Sequence, residues 1–365
     1  MNARVCRCSK RLIALTLACL ASVGNAHAAS ASTEFVVTWP GVWLRRAPSV
    51  LAPRIALAEQ GSRYPVLARS SDGTWVAVAY GAAQAWIPSG FGNATNPSQV
   101  PAVKLTFPPA VRNTNTHPLP TWITMTVRGR LIYQQAVKAG RNPRLFTVAG
   151  DSNSAWERSI GRIAAGSFDL SRHAHLNPII ARFDPSFAHV SLAVRGGIGA
   201  VHMFDPAYAP SPPCLPTEGM FVCELRRSNA SIVFIQLGTG DSFAWREFEA
   251  NLRRMINHAI TQAVLPVLVT KADEMESIHG GASLHFINDT IRRVAREEQL
   301  PIADFYIATR ALPTVPNPDL PHRPFTQNGL VDEWGYYFHL SEEGFALRIL
   351  THLWVLDALT RGLKE

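Results

Sequence analysis

The chain lacks several things whose absence narrows its chemistry. The one apolar run near its start is too short to cross a bilayer comfortably, for which about 20 residues are needed, and no later segment is long and apolar enough to span a membrane. Basic residues are scattered rather than blocked, and no nucleic-acid surface is read from them. Cysteines number five, with Cys6, Cys8 and Cys19 at the start and Cys214 and Cys223 far from them. Neither late cysteine has a Cys or His spacing that suits zinc, so no metal site is expected. No internal repeat is visible. A chain of 365 residues with 47% hydrophobic and 17% charged residues is an ordinary globular composition with material for more than one core.

The first residues carry Arg4, Arg7, Lys10 and Arg11 with no acid among them. The apolar run Leu12 to Leu20 and the small-residue stretch Ala26-His27-Ala28 follow. This layout predicts a signal peptide over 1–28 and an exported protein, periplasmic or extracellular. The formal charge of +8 includes those four cations, which leaves about +4 on the mature chain. In an oxidising compartment the remaining pair, Cys214 and Cys223, is expected to form one disulfide.

Residues 34–93 read as short strands broken by turns: Phe35 to Val37, Val42 to Arg45, Tyr64 to Leu67, Trp75 to Val78 and Ala85 to Ile87. The spacing predicts a small all-β barrel. The residues Val42-Trp43-Leu44-Arg45-Arg46-Ala47-Pro48-Ser49, Asp72-Gly73-Thr74-Trp75-Val76-Ala77-Val78 and Ala85-Trp86-Ile87-Pro88 resemble a bacterial SH3-like domain. That resemblance implies docking on cell-wall peptides or glycans, with a plain packing module as the alternative. Trp43, Trp75 and Trp86 are taken as core or turn aromatics. Residues 94–120, rich in Pro, Asn and Thr, read as a linker partly extended by its prolines.

Beyond the linker, over 121–365, helical and strand periods alternate. A helix is expected from about Ile123 to Ala139, and strands at Leu145 to Ala149, Ile232 to Leu237, Val267 to Val269 and Ile302-Ala303. Between them run helices carrying Phe248, Leu252, Met255, Ile256 and Ala259, then Ile287, Ile291 and Val294, and a last one over Leu347 to Leu359. The pattern predicts an α/β domain with a parallel sheet covered on both faces. In such sheets, functional groups gather beyond the carboxyl ends of the strands. Gly150-Asp151-Ser152-Asn153-Ser154 follows one strand, and Gly238-Thr239-Gly240-Asp241 follows another.

A serine hydroxyl needs a base to take its proton, and the oxyanion that develops needs donors in a dry pocket. Four blocks in this order, Gly150 to Ser154, Ser191 to Ala200 with its glycines, Gly238 to Asp241 and His339-Leu340-Ser341, resemble those of SGNH (GDSL-type) hydrolases. The resemblance implies a three-layer α/β/α, flavodoxin-like fold. By it, Ser152 is the nucleophile and an oxyanion donor through its own amide, and His339 is the general base. Gly197, or its neighbours Gly196 and Gly199, offers a further backbone donor. The stretch from Cys214 through Cys223-Glu224 also resembles bacterial members with a cysteine pair there.

Two positions depart from that pattern. Gly240 stands where the family has an oxyanion-binding Asn, and the neighbouring Thr239 is a candidate substitute donor. Tyr336 stands where the family has the acid that orients its histidine, and Asp332, or Glu333, is the candidate replacement. His173, His175, His258, His279, His285, His322 and His352 lack any catalytic spacing and read as surface or packing residues, while His202 follows the glycine block. Asp151 and Asp241 are expected to hold their turns through backbone N–H groups.

The expectation is therefore an exported serine esterase acting on acyl, including O-acetyl, esters of a cell-wall or extracellular polysaccharide such as peptidoglycan. The mechanism calls for no cofactor. A glycan-binding protein that has lost catalysis, or an O-acetyltransferase using the same residues, are the alternatives.

Overall fold

The computed structural model describes residues 33–95, 99–107, 112–274, 276, 281–310, 312, 330–331 and 337–363. The N-terminal part is an antiparallel sheet of β1 (Glu34–Val37), β2 (Gly41–Arg45), β3 (Arg54–Glu59), β4 (Arg63–Ser70), β5 (Trp75–Tyr80), β6 (Ala83–Pro88) and β7 (Gly92–Ala94). Its order is β3-β2-β6-β5-β4-β1-β7, and β8 (Ala102–Val103) adds to β4 in parallel. Alternate residues of β1 and β2 are buried, as a sheet with one covered face requires. Trp75 and Trp86 are core residues, and Trp43 is half-buried beneath Arg54. β3 was not anticipated, because Arg54 to Glu59 mixes charge with alanine and offers no aromatic or β-branched run beyond Ile55.

The second part begins with β9 (Ile123–Thr124) and α1 (Val127–Lys138). The helix expected from Ile123 starts four residues later, because Ile123 and Thr124 form an edge strand pairing antiparallel with Ile302-Ala303 and Thr126 caps the helix by accepting from the Gly129 amide at 3.0 Å. Then come β10 (Asn142–Gly150), α2 (Gly161–Ala165), α3 (Asn177–Arg182), α4 (Asp184–Phe187), α5 (Met220–Ser228), β11 (Ala230–Gln236) and α6 (Trp245–Thr261). β12 (Leu265–Val269), α7 (Phe286–Glu297), β13 (Ile302–Ala303), α8 (Phe305–Thr309), β14 (Leu330–Val331), β15 (Tyr337–His339) and α9 (Glu342–Thr360) complete it.

The fold is mixed α/β. β10, β11, β12 and β13 run parallel in that order, and β9 closes the edge antiparallel, so the sheet is not purely parallel as expected. Every residue of β11 and β12 is buried, which requires cover on both sheet faces. α6 supplies part of that cover with Phe248, Leu252, Met255, Ile256 and Ala259, spaced along one helical face.

The two parts share one core. Arg45, 2% exposed, donates to the carbonyls of Ala52 and Ala164 at 3.1 and 3.2 Å. Asp184 accepts from the Val50 amide at 2.8 Å and from Ser49, and Phe91 lies 4.4 Å from Trp156 between ring centroids. The span read as a linker is tied down as well: Asn113, buried, donates to the Asp357 carbonyl and carboxylate at 2.9 Å. Cys214 and Cys223 form the expected disulfide, at the start of α5. Among the described residues no helix is long and apolar enough to cross a membrane.

Candidate active site

β10 ends on Gly150, and the next residues turn at once. A Cβ on Gly150 would lie 2.0 Å from Ser154 Oγ, so only glycine lets the strand fold back this tightly. Asp151, 4% exposed, accepts from the Asn153 amide at 2.9 Å through its side chain and from the Ser154 amide at 2.9 Å through its carbonyl. Ser152 thereby opens a short 3-10 turn, Ser152–Ser154, and stays partly exposed. None of these bonds uses the Ser152 amide.

The turn is pinned to the C-terminal segment. Asn153 Oδ1 accepts from the Leu340 amide at 2.9 Å, so the residue after Ser152 holds the residue after His339. His339 ends β15, where its backbone pairs with Leu330. The His339 side chain, Asp332, Glu333 and Tyr336 lie outside the described residues. Ser341 caps α9, accepting from the Gly344 amide at 3.1 Å, with Glu342 and Glu343 in the first turn, where the helix dipole favours acids.

The glycine block lies against the same turn. Residues 193–195 extend alongside the end of β10, with Gly150 N donating to Ala193 O at 3.0 Å and Arg195 N to Gly150 O at 3.2 Å. Gly196 then faces Ser152, since a Cβ built on it would sit 3.8 Å from Ser152 Cβ. Gly197 follows at φ +74°, a left-handed conformation that glycine adopts without strain. The segment leading in is held by Glu224, fully buried on α5, which accepts from Leu192 N at 2.8 Å, Thr147 Oγ1 at 2.5 Å and His189 Nε2 at 2.7 Å.

Gly240 has a steric reason to be glycine. A Cβ there would meet the Ile198 carbonyl oxygen at 2.5 Å, so the backbone of the glycine block fills the space that an Asn side chain would need. Thr239 does not stand in as a free donor, because its hydroxyl donates to Asp273 Oδ2 at 2.5 Å. Asp241 Oδ1 accepts from the Ala200 amide at 2.7 Å, which ties the third block to the end of the glycine block. Asp151 and Asp241 thus hold backbone amides as expected.

A set of buried charges beneath these loops was missed in the sequence. Lys271, just past β12, donates from Nζ to Asp273 Oδ1 at 2.8 Å and Glu276 Oε2 at 2.6 Å. Arg348 on α9, 3% exposed, faces Asp151 and Asp273 electrostatically. Burial lowers its pKa to about 10, against the pull of those carboxylates. Burial raises Asp151 to about 6, opposed by Arg348 and reinforced by Asp273. Asp241 rises to about 7, again through burial first and with the like charge of Asp151 adding to it. The available signal was a charged run, Lys271-Ala272-Asp273-Glu274, one residue after a fully apolar strand, where exposed charge is the ordinary explanation.

α9 reaches the turn a second way. His352, one helical turn beyond Arg348 and 1% exposed, meets Gln236 Oε1 at 2.9 Å, and Gln236 Nε2 donates to Ser154 Oγ at 2.8 Å. Because Gln236 donates outward from its nitrogen, its oxygen must accept, so His352 carries its proton on Nε2. Burial pushes this imidazole down to about 3, and it stays neutral. It is a packing residue, as the sequence indicated.

No protein-family description matches the chain, and no curated protein matches it. Among solved structures, it is similar to a putative lipolytic protein of the G-D-S-L family from Desulfitobacterium hafniense DCB-2, at 15% identity and a TM-score of 0.35 over 57% of this chain and 98% of that one. A putative acylhydrolase from Bacteroides fragilis NCTC 9343 is 12% identical with a TM-score of 0.35, over 63% and 95% of the two chains. An acetylxylan esterase from Geobacillus stearothermophilus, solved as a catalytic mutant, is 13% identical with a TM-score of 0.35, over 60% and 94%.

Proposed function

We propose that the chain is an exported serine esterase in which Ser152 is the nucleophile and His339 its base. The observation that supports this most is the bond from the Leu340 amide to Asn153 Oδ1, which joins the immediate neighbours of those two residues across 187 positions of sequence. In this mechanism Ser152 Oγ attacks the ester carbonyl while the His339 imidazole takes its proton. The tetrahedral oxyanion draws on the Ser152 amide and on a backbone amide of the glycine block, with Gly197 the assigned residue; the Gly199 amide already donates to His202 Nδ1. The imidazolium then protonates the departing alcohol, and water, activated by the same base, releases the acid and regenerates Ser152. Asp332 is assigned to orient the histidine.

An O-acetyl ester on a cell-wall or extracellular polysaccharide is the proposed substrate, and the N-terminal sheet is proposed as an SH3-like module that docks the enzyme there. A second reading, a glycan-binding protein without turnover, draws on Gly240, which contributes no side-chain donor. A fluorophosphonate probe separates the two. Labelling that maps to Ser152 and disappears in Ser152→Ala is expected. Absence of labelling in the folded wild type, or short-chain ester turnover undiminished in Ser152→Ala, overturns the esterase.

A further inference from the structure

The loop that leads on from Gly196, the residue facing Ser152, carries hydrogen-bond donors. Arg195 directly precedes Gly196, the residue that faces Ser152, and its own amide is bonded to Gly150 O at 3.2 Å. Its exposed side chain runs to Tyr208, with Nη1 donating to the Tyr208 carbonyl at 3.3 Å and Cζ 5.7 Å from the ring centroid. The Tyr208 ring packs at 4.4 Å on His202, and His202 Nδ1 accepts from the Gly199 amide at 2.9 Å. A ring nitrogen that accepts leaves the proton on the other, so His202 presents Nε2–H as a donor. The loop from 195 to 208 therefore closes on itself, from Gly196 beside the serine, through Gly199 and His202, to Tyr208 and back to Arg195.

This loop carries a guanidinium, an imidazole N–H and a phenol. Asp205, the one carboxylate between 195 and 208, spends its Oδ1 on capping the Ala207 amide at 2.9 Å. Among the described residues no carboxylate pairs with Arg195. A planar guanidinium held over an aromatic ring, with its fork not taken up by an acid, suits a carboxylate in bidentate geometry. The neighbouring ring faces suit a sugar, which offers C–H surface together with hydroxyls.

We infer that Arg195, with His202 and Tyr208, forms a subsite for a carboxylate on the sugar next to the acylated one, so that the substrate is an acylated acidic glycan. This rests on the esterase reading for the position of the ester. The recognition chemistry is that of an anion, which a uronate or a phosphodiester polymer could supply; the guanidinium fork fits both, and the packed rings of Tyr208 and His202, which suit a sugar ring, favour the uronate.

The test uses the full chain and two measurements. In the first, kcat/KM is compared on acetylated oligogalacturonide and on acetylated xylo-oligosaccharide, for wild type, Arg195→Gln and Arg195→Lys. Wild type is expected to favour the acidic substrate roughly tenfold or more, the size of one charge-assisted hydrogen-bonded pair. Arg195→Gln should remove that preference, and Arg195→Lys should restore it in part. In the second, calorimetry follows non-acetylated oligogalacturonate binding to Ser152→Ala, where no ester chemistry occurs. Binding that weakens as salt rises and is lost in Ser152→Ala/Arg195→Gln supports the subsite. Equal turnover of both esters by wild type, or uronate binding indifferent to Arg195, overturns it. Tighter binding of a glycerol-phosphate oligomer than of the uronate overturns the carboxylate assignment. Absence of turnover on either ester, with Arg195-dependent uronate binding intact, is the result that removes the esterase reading and its acylated substrate while leaving an acidic-glycan site.

Discussion

Asn153 Oδ1 accepts the Leu340 amide at 2.9 Å, and both residues are buried, at 5% and 2% exposed. One side chain therefore holds the turn that begins at Ser152 against the strand that ends at His339. Neither residue carries chemistry itself, but each neighbours one assigned to it.

Replacing Asn153 with Ala leaves the buried Leu340 N–H without an acceptor. The expected cost is about 1–3 kcal/mol of stability. If the tie positions His339, kcat should fall more than KM changes, because the histidine is then misplaced for the transition state rather than for binding. Urea unfolding and steady-state kinetics on a short-chain ester measure the two effects, and Asn153→Asp, which keeps the acceptor, should recover most of the kcat.

Gly240→Asn, the substitution that would recreate the family's usual donor, should not raise activity. Its Cβ would press on the Ile198 carbonyl oxygen, and that backbone belongs to the glycine block. Overpacking of this kind costs about 1–3 kcal/mol. A lower melting temperature together with unchanged or reduced turnover is the expected result, and a rise in kcat would show that the loop yields.

Asp241→Asn should flatten the dependence of stability on pH. Asp241 and Asp151 have folded-state values raised by burial to about 7 and about 6, from an ordinary 3.8. An acid raised in this way favours the folded state while it is protonated. Its contribution is therefore full below 3.8 and is lost as pH rises through the folded value. Wild-type stability attributable to this pair falls toward neutral pH, and the Asn variant, still able to accept from Ala200 N through Oδ1, should fall less. Denaturant midpoints between pH 4 and pH 8 provide the comparison.

Glu224→Ala should cost about 3–5 kcal/mol, the usual effect of breaking a buried ion pair. It strips the acceptor from Leu192 N, Thr147 and His189 together. The charges of the pair raise His189 and lower Glu224 against the opposing effect of burial in each. The Glu224 contribution is thus lost as pH falls through its lowered value, and that of His189 as pH rises through its raised one. Differential scanning calorimetry across this range should show wild type with a plateau between the two limits that the variant lacks.

Periodicity along the chain carried the elements that bury a whole face or a whole strand. β10, β11, β12, α6 and α7 were visible because a buried parallel strand is a continuous apolar run and a surface helix repeats its apolar residues every three to four positions. β9 and β3 were not, since Ile123 and Thr124 run into the period of the helix that follows and a mixed Ala/Arg/Glu strand has no contrast. The small-residue turn at Ser152 was legible because tight backbone turns demand particular residues locally.

Other features were decided only by tertiary structure. The glycine at 240 looked like a lost donor until the Ile198 carbonyl was found in its place. Lys271 and Arg348 are buried among Asp151, Asp273 and Glu276, an arrangement that no local pattern announces. Local sequence determines φ, ψ and which face is apolar, because those depend on neighbours a few positions away. Which carboxylate holds a proton, and which turn meets which strand, depends on atoms brought together from distant parts of the chain, and only the folded arrangement sets those distances.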